Sequence, residues 1–130
     1  MRLLLDTHVL VWWVDDSRNL GRKARSAISR NGTELYISAI SIWEISIKTA
    51  AKRMGLKTPL EDSIPIMLEE GAQSLSVTFT HAYAVRYLSH HHGDPFDRML
   101  IAQAQCEGLT IVTADPAFRA YDVPVLDAST

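Results

Sequence analysis

The chain is almost without cysteine. Its one thiol, Cys106, excludes a disulfide within the chain, and without a cysteine pair there is no thiolate framework for zinc. No stretch approaches the ~20 apolar residues of a membrane span, and the opening Leu3-Leu4-Leu5 run stops at Asp6, too short for a signal-peptide core. The sequence therefore predicts a cytoplasmic protein, neither exported nor embedded. Five prolines and six glycines are too few and too scattered to build a linker, and there is no repeat or low-complexity tract, so residues 1–130 are expected to form a single domain. Nor is there an excess of positive charge. A formal net charge of −2 gives no bulk attraction to nucleic acid, so any such binding must use a local basic surface. Cys106, in a helical pattern with Leu100, Ile101 and Ala104, is expected to pack in the interior.

What is present is an alternation of strand and helix signals. Residues 2–5 (RLLL) read as a strand buried on both faces, followed by a turn at Asp6-Thr7-His8 and a short helix through Val9–Val14. Leu20, Ala24, Ala27 and Ile28 mark one face of a basic helix. Residues 34–38 (ELYIS) alternate as a strand, and a helix through Ile42, Ile45 and Ala50 runs until Gly55. Leu60, Ile64 and Met67 follow helical spacing, with regular helix expected from Ser63 and Pro65 in its first turn. Residues 73–79 read as a third strand, and Thr80 as the cap of a helix that the run His90-His91-His92-Gly93 breaks. Asp94-Pro95 opens a helix that Glu107-Gly108 closes. A strand at 109–113, a short helix from Asp115-Pro116 and a last strand at 124–126 complete the pattern. Such alternation implies α/β architecture with a central parallel sheet of four or five strands and helices on both faces.

Four acids recur at these junctions: Asp6, Glu44, Asp97 and Asp115. Each has a local explanation. Asp6 and Asp115 suit N-caps, and Asp97 suits the third position of a helix capped by Asp94, where the macrodipole favours a carboxylate. Glu44 completes a capping box, Ser41-Ile42-Trp43-Glu44, and faces Lys48 at salt-bridge spacing. The alternative is convergence. Ligand sites of open parallel sheets gather at the carboxyl ends of the strands, and carboxylates crowded there need a hard cation to coexist.

The joint pattern resembles the PIN-domain nucleases, and more closely their bacterial branch, the VapC-like toxin ribonucleases of toxin–antitoxin pairs. LLLDTHVLVWW is similar to that family's first motif, SAISIWEISIK to the second, DPFDRMLIAQA to the third and VTAD to the fourth, and the likeness covers essentially the whole chain. The resemblance implies a PIN-like three-layer α/β/α fold in which Asp6, Glu44, Asp97 and Asp115 are both catalytic residues and metal ligands. Asp94 is assigned to capping, with a secondary role at the metal, and Thr7 and Thr113 are candidates to orient a carboxylate or a water. Carboxylates and water suit Mg²⁺ or Mn²⁺. The implied reaction is endonucleolytic hydrolysis of RNA, leaving a 5′-phosphate and a 3′-hydroxyl. The residues leave open whether a site acid or a hydroxide on the ion serves as base. A cognate antitoxin and a homodimer are the implied partners.

Among the basic residues, Lys48 and Arg98 stand nearest the acids and are the candidate RNA contacts. The run His90-His91-His92 is read as a polar helix end, because three consecutive side chains on a regular helix cannot face one ion. Trp12 and Trp13 are assigned to the core and its rim. Gly21 stands where many relatives of the family carry a small hydroxyl residue, which predicts a weak helix start there. Two rival functions remain. A strand ending in Asp also begins haloacid-dehalogenase-like phosphatases, where Asp6 would be a phosphoryl-accepting nucleophile, but their second acid two residues later is His8 here. The other rival is a catalytically inactive PIN-like binding module.

Overall fold

A computed structural model describes all of residues 1–130. Five parallel strands form one sheet in the spatial order β3-β2-β1-β4-β5: β1 (Arg2–Leu5), β2 (Glu34–Ser38), β3 (Gln73–Leu75), β4 (Thr110–Thr113) and β5 (Val125–Asp127). Six helices connect them: α1 (Thr7–Val14), α2 (Arg22–Ser29), α3 (Ala39–Ala50), α4 (Leu60–Glu69), α5 (Phe79–Val85) and α6 (Pro95–Glu107), with a 3₁₀ turn at Pro116–Ala120 before β5. No helix is long and apolar enough to cross a membrane.

The all-apolar β1 explains the layering. Because successive side chains alternate, Leu3 and Leu5 enter one core with Val9, Leu10, Ala24, Ile28, Ile45 and Met67, while Leu4 enters the other with Leu100, Ile101, Ile111 and Phe118. Each fully buried leucine contributes about 1.5–3 kcal/mol. Helices thus cover both faces of the sheet. The strand order reverses direction between β1 and β4, whose register pairs Leu5 with Val112. This is the switch point, and the residues leaving both strands share one crevice there.

Several local expectations are corrected by the structure. Helix α3 is capped by Ser38, whose hydroxyl accepts the Ile40 N–H, so Ser41 and Glu44 lie inside the helix and form no capping box. The end of β2 supplies a better-placed hydroxyl than Ser41. Helix α4 begins at Leu60 and carries Pro65 internally; the carbonyl that loses its partner belongs to the exposed Glu61, where water can replace the missing bond. Strand β3 has only three residues, and Thr78, not Thr80, caps α5. There Thr78 and His81 exchange reciprocal bonds: His81 N–H donates to Thr78 Oγ1, and Thr78 N–H donates to His81 Nδ1. The expected strand therefore stops at Leu75, and the box starts the helix at Phe79 after a short connection. Cys106 is exposed, because it lies in the last turn of α6, beyond the segment 100–104 that packs on the sheet. Trp12 and Trp13 are partly buried against the first core, as expected.

Gly21 has a specific reason. The N-terminus of α2 has no side-chain cap; backbone carbonyls replace it, Ala128 accepting the Gly21 N–H at 2.8 Å and Thr130 the Lys23 N–H at 2.9 Å. A Cβ at position 21 would stand 2.3 Å from the Thr130 carbonyl carbon. Serine, a good cap by residue type, is therefore the wrong residue here. Gly21→Ser is expected to destabilise the fold by about 1–3 kcal/mol through overpacking and the loss of these bonds, measured by urea unfolding. Unchanged or raised stability would contradict this account.

Candidate active site

Asp6 is the first residue past β1. Its backbone N–H continues the sheet by donating to Val112, and its side chain caps α1, Oδ1 accepting the Val9 N–H at 2.8 Å. The capping role is real, yet it engages only one oxygen. Oδ2 accepts a hydrogen bond from the Thr113 hydroxyl at the end of the neighbouring β4, and the same hydroxyl oxygen accepts the Asp115 N–H at 3.0 Å. One threonine therefore ties together acids more than one hundred residues apart in sequence. Asp6 is only 4% exposed, and burial raises its carboxyl above the ordinary range, against the bonds from Thr113 and Val9.

Glu44 projects from the second turn of α3 and is also buried. Lys48 Nζ donates to its Oε2 at 2.6 Å, which satisfies half of the carboxylate. Oε1 is buried without any hydrogen-bond partner. An unpartnered carboxylate oxygen in the interior costs several kcal/mol unless something positive meets it.

Asp97 stands in the first turn of α6. Asp94 caps that helix, its Oδ1 accepting the Phe96 and Asp97 N–H groups at 2.8 and 3.2 Å. The Asp97 carboxyl is pushed up to about 7, first by burial and then by the negative charges of Asp94 and Asp6, with a smaller contribution from Glu44 and an opposing one from His92. Asp94, Asp6 and Glu44 thus lie close enough for their charges to be felt at Asp97. Asp115 caps the 3₁₀ turn through the Ala117 N–H at 2.9 Å and adds to the field that raises Asp6.

The remaining candidates separate. Thr113 orients a carboxylate, whereas the Thr7 hydroxyl turns away and donates to Ser41 Oγ at 3.1 Å, joining α1 to α3. Lys48 is at the site as the partner of Glu44. Arg98, expected at an RNA phosphate, instead directs its guanidinium to the carbonyls of Val85, Leu88, Ser89 and His92 and to the Tyr121 hydroxyl, at 3.1–3.3 Å. It clamps the segment between α5 and α6. Carbonyls left unpaired at the end of a helix attract such a multidentate donor, a pairing that spacing alone does not reveal.

His92 was not anticipated at the site. Helix α5 ends at Val85, so the three histidines lie on an irregular segment, where neighbouring side chains are free to point in different directions. His92 turns inward, with Nε2 2.9 Å from Asp97 Oδ2 and 3.3 Å from Asp115 Oδ2. Ligand-type atoms of His92, Asp97 and Asp115 all lie within 4.8 Å of one another. The early stop of α5 was the missing signal, since the helical reading spread these side chains around a cylinder.

A five-stranded parallel α/β/α fold with carboxylates crowded at its switch point defines an acidic-site nuclease of known class: the chain belongs to the PIN-domain family, whose sequence pattern matches residues 3–124. Among individual proteins it is similar to Ribonuclease VapC22 of Mycobacterium tuberculosis, 32% identical over 123 residues that cover 94% of this chain and 93% of that relative. Its fold is similar to VapBC2 from Rickettsia felis, solved bound to a DNA fragment from their promoter, with a TM-score of 0.72, 14% identity and coverage of 97% of this chain and 98% of that one. It is also similar to VapBC-1 from nontypeable Haemophilus influenzae, with a TM-score of 0.67, 17% identity and full coverage of both chains.

Proposed function

We propose that this protein is a divalent-metal-dependent endoribonuclease, the toxin of a toxin–antitoxin pair, acting at the crevice formed by Asp6, Glu44, Asp97 and Asp115. The single observation that carries the reading is Glu44 Oε1, a buried carboxylate oxygen without a partner, on a residue whose charge is felt at Asp97. These residues fit a hard divalent ion: oxygen donors dominate, and Mg²⁺ or Mn²⁺ is the ion such donors select. An ion held there would polarise the scissile phosphate and acidify the attacking water.

The chain's own groups complete the chemistry. Thr113 fixes the plane of Asp6 and the backbone of Asp115, and Lys48 engages one oxygen of Glu44, leaving the second free for an ion. In the net reaction a water oxygen bonds to phosphorus and the bond to the 3′ oxygen breaks, giving a 5′-phosphate and a 3′-hydroxyl. Such acids at neutral pH repel RNA unless a cation intervenes, which makes cleavage strictly metal-dependent.

The similarity to Ribonuclease VapC22 supports RNA as substrate, and the likeness to VapBC complexes supports an antitoxin partner; a basic side chain is the chemistry that would meet the acidic crevice. Phe79 and Tyr83, four residues apart on α5 with ring centroids 6.4 Å apart and largely exposed, offer an apolar patch of the kind a second copy would cover, which supports a homodimer. The phosphatase reading is disfavoured by His8, which is exposed on α1 where a second acid is required.

The deciding experiment measures RNA cleavage by the purified chain with Mn²⁺, with a chelator, and for Asp97→Asn with folding checked by circular dichroism. Cleavage is expected only for wild type with metal, with 5′-phosphate ends. Cleavage that persists in chelator, or in the folded Asp97→Asn variant, would remove the assignment.

A further inference from the structure

Around His92 the protein builds a frame that the four-acid reading does not use. The backbone is held on both sides: Tyr121 Oη accepts the N–H of His91 at 3.1 Å and of His92 at 2.8 Å, and the His92 carbonyl accepts from Arg98 Nη1 at 3.3 Å. The ring stands edge-on to Phe118, with centroids 6.0 Å apart and planes at 87°. Its far nitrogen, Nδ1, accepts the Asp94 N–H at 3.3 Å. Three elements, α6, the 3₁₀ turn and the preceding segment, thus converge to fix one imidazole.

The Nδ1 contact decides which role the ring can play. A ring nitrogen that accepts a hydrogen bond carries no proton, so in the neutral ring the proton sits on Nε2, the atom facing Asp97 and Asp115. Direct ligation through Nε2 would require the opposite tautomer and would turn an Nδ1–H toward the Asp94 N–H. Nε2 is buried, and neither carboxylate lies in line with the ring N–H. The ring is therefore a positive pole lodged beside two carboxylates, not one leg of a linear hydrogen bond.

We propose that His92 is a positioning residue of this centre, its Nε2–H holding Asp97 Oδ2 and Asp115 Oδ2 at the separation that one divalent ion needs. The inference rests on the reading of the crevice as a metal site and extends it to a residue outside the four acids. The need is electrostatic. Asp97 and Asp115 come from different elements, and before an ion arrives the positive end of the ring, 2.9 and 3.3 Å from their oxygens, opposes their mutual repulsion. Outer-shell donors of this kind typically change metal affinity 10–100-fold when removed.

The test is Mn²⁺ binding to the full chain without RNA, followed by the electron paramagnetic resonance of free Mn²⁺, for wild type, His92→Ala and His92→Gln. His92→Ala is expected to weaken binding about 10–100-fold. His92→Gln, whose carboxamide N–H can occupy the Nε2 position, is expected to recover affinity to within about threefold of wild type. Circular dichroism melting of the metal-free proteins reports folding, and the Gln variant keeps most of the ring's bulk. Wild-type affinity in His92→Ala, or a Gln variant as weak as Ala, overturns the role of His92 while leaving the metal site standing. Wild type that binds no Mn²⁺ overturns both.

Discussion

Asp6→Asn is expected to abolish RNA cleavage and, in the same protein, to raise the stability of the metal-free fold. The two effects have one cause. Asn caps a helix as well as Asp does, so the bond from the Val9 N–H survives, and its amide N–H can donate to Thr113 Oγ1 where the carboxylate accepted before. What disappears is a negative charge in a buried position beside other carboxylates. Relief of that charge is expected to stabilise the metal-free protein by about 1–3 kcal/mol, raising Tm by at least about 3 °C. The cost falls on function. On the proposed reading of the crevice, loss of this carboxylate and its charge removes several kcal/mol of transition-state stabilisation, a decrease of at least about 10³-fold in cleavage rate. Added Mg²⁺ should raise Tm for wild type and much less for the variant. Thermal unfolding with and without metal, run beside a cleavage assay, checks both parts. A variant less stable than wild type would identify Asp6 as a purely structural cap.

The second large effect concerns pH. The Asp97 carboxyl, pushed up to about 7 by burial and by Asp94 and Asp6, lies well above the ~3.9 of an aspartate in an unfolded chain. Between these values the folded protein holds a proton that the unfolded chain has released. Stability of the metal-free protein from this group is therefore greatest at low pH, falls as pH rises from about 4 to about 7, and is level above that. The raised Asp6 carboxyl acts in the same direction. Metal cancels the slope. An ion binds the ionised carboxylates, so below about 7 binding must expel the Asp97 proton, and affinity is expected to weaken about tenfold per pH unit. With saturating Mn²⁺ the bound fold and the unfolded chain both lack this proton, so the wild-type Tm should stay level with pH where the metal-free Tm falls. Calorimetric titrations between about pH 5.5 and 8, with Asp97→Asn as the comparison that lacks this proton, check the sign. Affinity independent of pH below 7 would show that Asp97 is already ionised.

Much of the architecture was legible because short, strongly patterned segments leave the chain little choice. The Leu3-Leu4-Leu5 run has no polar face, so it can only be a strand covered on both sides, and β2 coincides with the ELYIS alternation. The punctuation of α6 by Asp94-Pro95 and Gly108 was equally decisive, since Gly108 adopts the left-handed conformation that ends the helix. Weaker signals lost to better-placed competitors. Ser41 gave way to Ser38 as a cap, the expected strand at 73–79 was cut to Gln73–Leu75 ahead of the Thr78 and His81 box, and the helical histidines proved to lie in a loop. Arg98 went to backbone carbonyls whose positions depend on where α5 stops.

The order of strands and helices, and the acids at their junctions, were determined by the sequence itself, because hydrophobic period, caps and breakers act over a few residues. Which of those acids share a pocket was decided only in three dimensions. Placing β4 beside β1 sets Thr113 against Asp6, and the early end of α5 swings His92 over Asp97 and Asp115. Contacts between groups tens of residues apart depend on the packing of the whole chain, and no local pattern encodes them.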